Sequence, residues 1–276
     1  MKDINFVYFG TPEFSVIVLD ELKKVGYMPS LIITAPNRPV GRKYIMTPPP
    51  VKNWADENHV ECWQPEHPRD IVKELQERSN DLYILASYGY IVSQKLLDIP
   101  KYGVLNVHTS LLPKYRGASP IESAILGGDT ETGSTIMEMT LKMDEGPIIT
   151  QSVFDLEPDV LKPDLFTMLA HDGGQLLAGI LPDYIAEKCK IINQDHTKAT
   201  YCGKIEKSDG NITNDDDQTR DRKYRAYYGW PGVFLFDNDI RLKITDAQYS
   251  DGKFIIKRVI PAGKNEIDYQ QYLKNK

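Results

Sequence analysis

Along the first 190 residues, short apolar runs alternate with stretches where apolar residues recur every three or four positions. Residues 4–9 make one such run, closed by Gly10-Thr11-Pro12, and predict a buried strand. Thr11 is placed to cap the next helix with Pro12 at its first position. Val16, Leu19, Leu22 and Val25 then fall on one helical face. Further strands are predicted at residues 29–35, 82–87, 103–107, 134–139 and 148–153, with a helix at 119–126. Leu165, Met168, Leu169, Leu176, Leu177 and Ile180 mark a long helix after them. This alternation predicts an α/β fold, an open and mostly parallel sheet covered on both faces.

Beyond residue 190 the pattern changes. Strands at 241–244 and 254–259 are separated by the turn signal Asp251-Gly252, and the polar stretch 208–218 reads as an exposed loop. The expected organisation is a catalytic domain over residues 1–192, a linker over 193–202 and a small β-rich domain over 203–276.

Composition narrows the class. The 276 residues are 41% hydrophobic and 26% charged, as in ordinary soluble globular proteins. The densest apolar run, residues 14–19, is far from the ~18 residues of a membrane span. Asp3 and Glu13 near the start do not suit a signal peptide. Cys62, Cys189 and Cys202 show no CxxC spacing and are expected to be reduced thiols in a cytoplasmic protein. The net charge of −6 is uneven: residues 201–276 carry 14 Lys or Arg against 12 Asp or Glu, so the acidity lies in the rest. A mildly basic tail permits a polyanion partner at that end, or simply solvates a surface.

Ligands of open α/β sheets bind beyond the carboxyl ends of the strands. There the strand at 103–107 runs into Asn106-Val107-His108-Thr109-Ser110-Leu111-Leu112-Pro113. Alternation puts Asn106 and His108 on one side of an extended backbone. An amide can donate to a developing oxyanion and a histidine can donate or relay a proton. Asp144, in the turn Met143-Asp144-Glu145-Gly146-Pro147, is the candidate carboxylate to orient the imidazole. The competing reading of His108 is a hydrogen-bonded histidine at a strand end. Residues 9–14 occupy the first strand-to-helix turn but lack GxGxxG, so no nucleotide cradle is expected there. His59, Cys62 and His67 match no common zinc spacing, and no metal is expected. His171 and Asp172 read as solvent-facing or capped, and His196 has no partner suggested by sequence. Residues 37–43 form a basic loop, Asn-Arg-Pro-Val-Gly-Arg-Lys, that either grips phosphates or is solvated surface.

Taken together these segments resemble the methionyl-tRNA formyltransferases. The matching pieces are residues 9–14, 38–42, 106–113, 115–120, 133–137 and 143–147, with 199–201, 225–227, 230–232 and 261–264 in the second domain. The resemblance implies transfer of a formyl group from 10-formyltetrahydrofolate to the amino group of methionyl initiator tRNA. It implies Asn106, His108 and Asp144 as the catalytic trio and Ser110, Leu111, Leu112 and Pro113 as lining of the folate site. Phe14, Arg38 and Arg42 are implied to lie near the aminoacyl end of the tRNA. The implied fold is a Rossmann-like domain followed by a small OB-like β-barrel that binds tRNA, acting as a monomer in the cytoplasm. Thr109 stands where the family usually has Gly, and the chain is rather short for the family. The rival readings are a formyltransferase acting on an amino sugar nucleotide, and a non-enzymatic folate- or RNA-binding relic.

Overall fold

The computed structural model describes residues 4–41 and 43–275. They divide into two compact units. The first holds residues up to Arg116, Gly133–Phe154 and Thr167–Tyr201; the second holds Gly117–Thr132, Asp155–Phe166 and Cys202 onward. The second unit therefore draws on two segments from within residues 1–192.

In the first unit, β1 (Phe6–Gly10), β2 (Leu31–Ile33), β3 (Cys62–Trp63), β4 (Leu82–Ala86) and β5 (Val104–His108) are parallel. β6 (Thr135–Glu138) and β7 (Ile148–Gln151) continue the same sheet antiparallel. The order across the sheet is β7-β6-β5-β4-β1-β2-β3. From β1 the chain builds outward through β2 and β3, then crosses back to β4 and β5 on the other side, so the switch point lies between β1 and β4, where Gly10 pairs with Ala86. β1, β2 and β4 are buried at every position. Strands covered on both faces read as continuous apolar runs, which is why the pattern alone located them.

One face buries Val7, Phe9, Leu31, Ile33, Tyr83 and Leu85 with Leu75 of α3 (Val72–Gln76) and Leu96 and Leu97 of α4 (Gln94–Leu97). On the other, the Tyr8 hydroxyl donates to Ser15 O of α1 (Glu13–Lys24) at 2.8 Å. Gly173 of α6 (Lys162–Ile185) lies so close to Val107 that an added Cβ would sit 2.5 Å from its methyl. α1 starts one residue later than expected. Pro12 is the N-cap, and Thr11 instead donates from Oγ1 to Tyr88 O at 3.2 Å. The basic loop is a short hairpin, Arg38–Val40 paired with Ile45–Thr47, leading through three prolines into α2 (Pro50–Glu57).

The second unit carries an antiparallel sheet, β8 (Phe234–Asp237), β9 (Ile240–Ser250), β10 (Lys253–Pro261) and β11 (Ile267–Asp268), in that order. This is the small β-rich domain anticipated from the change of pattern, and its antiparallel sheet agrees with the barrel-like domain that the resemblance implies. Asn238 and Asp239, then Asp251 and Gly252, have positive φ and close its two tight hairpins. Against the sheet pack α7 (Asp217–Ala226) and α8 (Tyr269–Lys274), and α7 also meets α5 (Pro120–Gly127). The stretch expected as an exposed loop, 208–218, is partly structured. It contains the end of a helical turn, a fully buried Ile212, and the Asp216 cap of α7, whose side chain accepts from Thr219 N. Among the described residues no helix is long and apolar enough to cross a membrane.

Candidate active site

Asn106 and His108 end β5 and, as alternation requires, share one side of it. His108 is 5% exposed. Its Nε2 lies 2.9 Å from the backbone carbonyl of Tyr115, and its Nδ1 lies 3.7 Å from Asp144 Oδ2. A carbonyl only accepts, so Nε2 carries a proton and Nδ1 is the nitrogen left to exchange one. The open nitrogen of the imidazole thus faces a carboxylate. Asn106 is half-buried, and its side-chain amide makes no hydrogen bond among the described residues.

Asp144 reaches this position through its turn. Its φ is +54°, a left-handed conformation that Asp tolerates better than most residues. Two residues on, Gly146 passes so near β6 that an added Cβ would sit 1.8 Å from Glu138 O. Only glycine allows that approach, and it draws the Asp144 turn against the strand paired with β5.

The segment after His108 is pinned from below. Thr135 Oγ1 donates to Ser110 O at 2.6 Å and accepts from Leu112 N at 3.2 Å. Gln151 Nε2 donates to Leu112 O at 3.0 Å and to Thr135 Oγ1 at 2.8 Å. Ser110 is buried with its hydroxyl donating to Lys114 O at 2.5 Å. Leu112 packs with Met137 and Ile148, while Leu111 and Pro113 are half-buried and present surface. Of the four residues implied for folate, two therefore hold the loop's shape.

Comparison with known proteins places the chain. A family model described as formyl transferase matches residues 2–181. The methionyl-tRNA formyltransferase of Listeria monocytogenes serotype 4a is 36% identical over 296 aligned positions, covering 98% of this chain and 95% of that one. The chain belongs to the methionyl-tRNA formyltransferase family. The methionyl-tRNA formyltransferase of Clostridium thermocellum, whose structure is solved, has the same fold, with a TM-score of 0.63 at 15% identity over 94% of this chain and all of that one. So does an N-formyltransferase from Helicobacter canadensis, solved with folinic acid and dTDP-3-aminofucose. Its TM-score is 0.68 at 18% identity, covering 96% of this chain and 98% of that one. At such identities the likeness is of fold alone.

Of the remaining expected residues, Phe14 and Arg38 lie on other elements than β5. Phe14 is buried at the start of α1. Arg38 is exposed on the hairpin and pairs with Glu66 at 2.7 Å. Arg42 lies outside the described residues. His171 meets Glu21 at 2.6 Å and Asp172 accepts from Ser152, which makes both structural ties. His196, without a partner in the sequence reading, has one in Arg116, whose Nη2 lies 2.9 Å from its Nδ1. Among the described residues no group of His, Cys, Asp and Glu is arranged to hold a metal ion. Sequence reasoning missed Tyr115, Thr135, Gln151 and Gln194. Their roles rest on backbone carbonyls and long-range partners, which leave no local pattern.

Proposed function

We propose that this protein transfers a formyl group from 10-formyltetrahydrofolate to the amino group of methionyl initiator tRNA, with Asn106, His108 and Asp144 as the catalytic residues. The observation that carries this reading is the match to a methionyl-tRNA formyltransferase along almost the full length of both chains. The fold does not choose the acceptor, because a sugar formyltransferase shares it. Residues at the β5 end fit a formyl donor: an amide with no hydrogen bond among the described residues, and an imidazole whose open nitrogen faces a carboxylate.

The donor supplies the formyl carbon. A bond forms between that carbon and the amine, the bond to the folate N10 breaks, and one proton passes from the amine to N10. The Asn106 amide and the His108 Nδ1–H stabilise the negative charge that develops on the formyl oxygen. An oxyanion donor of this kind contributes roughly 3–4 kcal/mol. Asp144 stabilises the imidazolium and helps to relay the amine's proton. Leu111 and Pro113 offer the surface for the folate, held in shape by Ser110 and Leu112. Phe14, Arg38 and Arg42 serve the aminoacyl end, and the basic domain over residues 203–276 binds tRNA phosphates. The enzyme works as a cytoplasmic monomer.

The test is a single-turnover assay with 10-formyltetrahydrofolate and either methionyl initiator tRNA or an amino sugar nucleotide. Formylation of the tRNA is expected. Formylation of the sugar alone would replace this reading with its rival, and formylation of neither would leave a binding protein.

A further inference from the structure

Arg116 is the largest fully buried side chain of the described residues. A buried guanidinium is costly to desolvate, and a hydrophobic residue of similar volume often serves stability as well or better. Its position suggests what the charge is for. Nε and Nη2 both donate to Gln194 Oε1, at 3.1 and 2.7 Å. Gln194 is itself buried, and its Nε2 donates to two backbone carbonyls of the Asp144 turn: Asp144 O at 2.8 Å and Gly146 O at 2.6 Å. Arg116 Nη1 also lies 3.6 Å from the Glu145 carboxylate in the same turn.

The other side of the pair is held from the same place. The carbonyl that fixes the His108 tautomer belongs to Tyr115, which precedes Arg116 in the chain. Thr200 clamps both residues, accepting from Tyr115 N at its hydroxyl and from Arg116 N at its carbonyl, each at 2.8 Å. One dipeptide therefore grips the imidazole through its backbone and the carboxylate-bearing turn through its side chain.

We infer that Arg116 and Gln194 are positioning residues that set the distance and orientation of Asp144 relative to His108. This rests on the proposed role of that pair. Neither residue touches the reacting atoms. Gln194 has the decisive geometry, since its amide presents an acceptor to the arginine and a donor to the turn. A carboxylate at 194 keeps the acceptor but turns an oxygen towards two carbonyls, so the arginine stays paired while the turn is released.

The experiment is a double-mutant cycle on the full-length enzyme with Gln194→Glu, Asp144→Asn and both together. Single-turnover rate constants and the KM values for tRNA and formyl donor are measured for each. Gln194→Glu is expected to lower the rate constant about 10- to 100-fold with KM values within about twofold of wild type. In the Asp144→Asn background the same change should cost less than about twofold, because its effect passes through that carboxylate. Additive losses, or a KM effect as large as the rate effect, would overturn the inference while leaving the trio in place. No loss from Asp144→Asn alone would overturn both. Arg116→Lys, which keeps the charge but not the two-pronged contact, guards against a folding artefact: it should reproduce the non-additivity, and full activity with the thermal midpoint unchanged would also overturn the inference.

Discussion

Asp144→Asn is the sharpest probe of the site, since it keeps the side chain's size and removes only the charge opposite His108. At 3.7 Å and an effective dielectric constant of about 20, an imidazolium–carboxylate pair is worth about 4.5 kcal/mol. Each ~1.4 kcal/mol is tenfold in rate, so losing all of it slows the chemical step by about 10³-fold. The carboxylate is 14% exposed, and water compensates part of the loss. The expected range is therefore about 10²- to 10³-fold, and His108→Ala should fall within about 10²- to 10⁴-fold. Affinity for the folate should change little, because the substitution removes a contact that matters as charge develops. Rapid-quench single turnover with saturating enzyme reads the chemical step directly. A variant that keeps half the wild-type rate constant would refute the assignment.

Other consequences can be checked with the intact chain. If residues 203–276 and the hairpin hold tRNA through phosphates, binding titrations should show affinity falling about 10-fold or more between roughly 50 and 200 mM salt. Affinity that ignores ionic strength would contradict this. Arg42→Ala should strongly reduce kcat/KM for methionyl-tRNA while hardly changing transfer to a small amine at saturation. Equal losses on the two acceptors would remove Arg42 from the tRNA site. Glu21 is buried under α6. Burial pushes its carboxyl up, but hydrogen bonds from Lys24, His171 and Gln175 outweigh that and hold it below its ordinary value. A depressed folded-state value stabilises the protein above the ordinary carboxyl value of 4.5 and loses that contribution as pH falls through it. Urea melts should therefore show wild type exceeding Glu21→Gln by about 1–3 kcal/mol at neutral pH, with the gap closing below about pH 4.5. A gap that stays constant into acid would refute this.

Several parts of the protein were determined by the sequence alone. β1, β4 and β5 are short apolar runs ended by turn residues, and α1 and α6 carry apolar stripes of helical period; both signals lie within a few residues. The shared side of Asn106 and His108 follows from strand alternation, and the Asp251-Gly252 hairpin from its need for positive φ. Other features were decided only by the tertiary structure. α7 is polar almost throughout, so no stripe announces it. Its Asp216 cap and its packing on α5 and the sheet make it a helix. Gly117–Thr132 and Asp155–Phe166 join the second unit although the chain places them inside the first. The side chains of Ser110 and Leu112 are buried, and Thr135 and Gln151 hydrogen-bond their backbone carbonyls from a distance in sequence. Arg116 and Gln194 stand 78 residues apart, and nothing at either position hints at the other. Local periodicity records which residues face a core. Which distant groups meet inside it is settled only when buried donors and acceptors must find partners away from water.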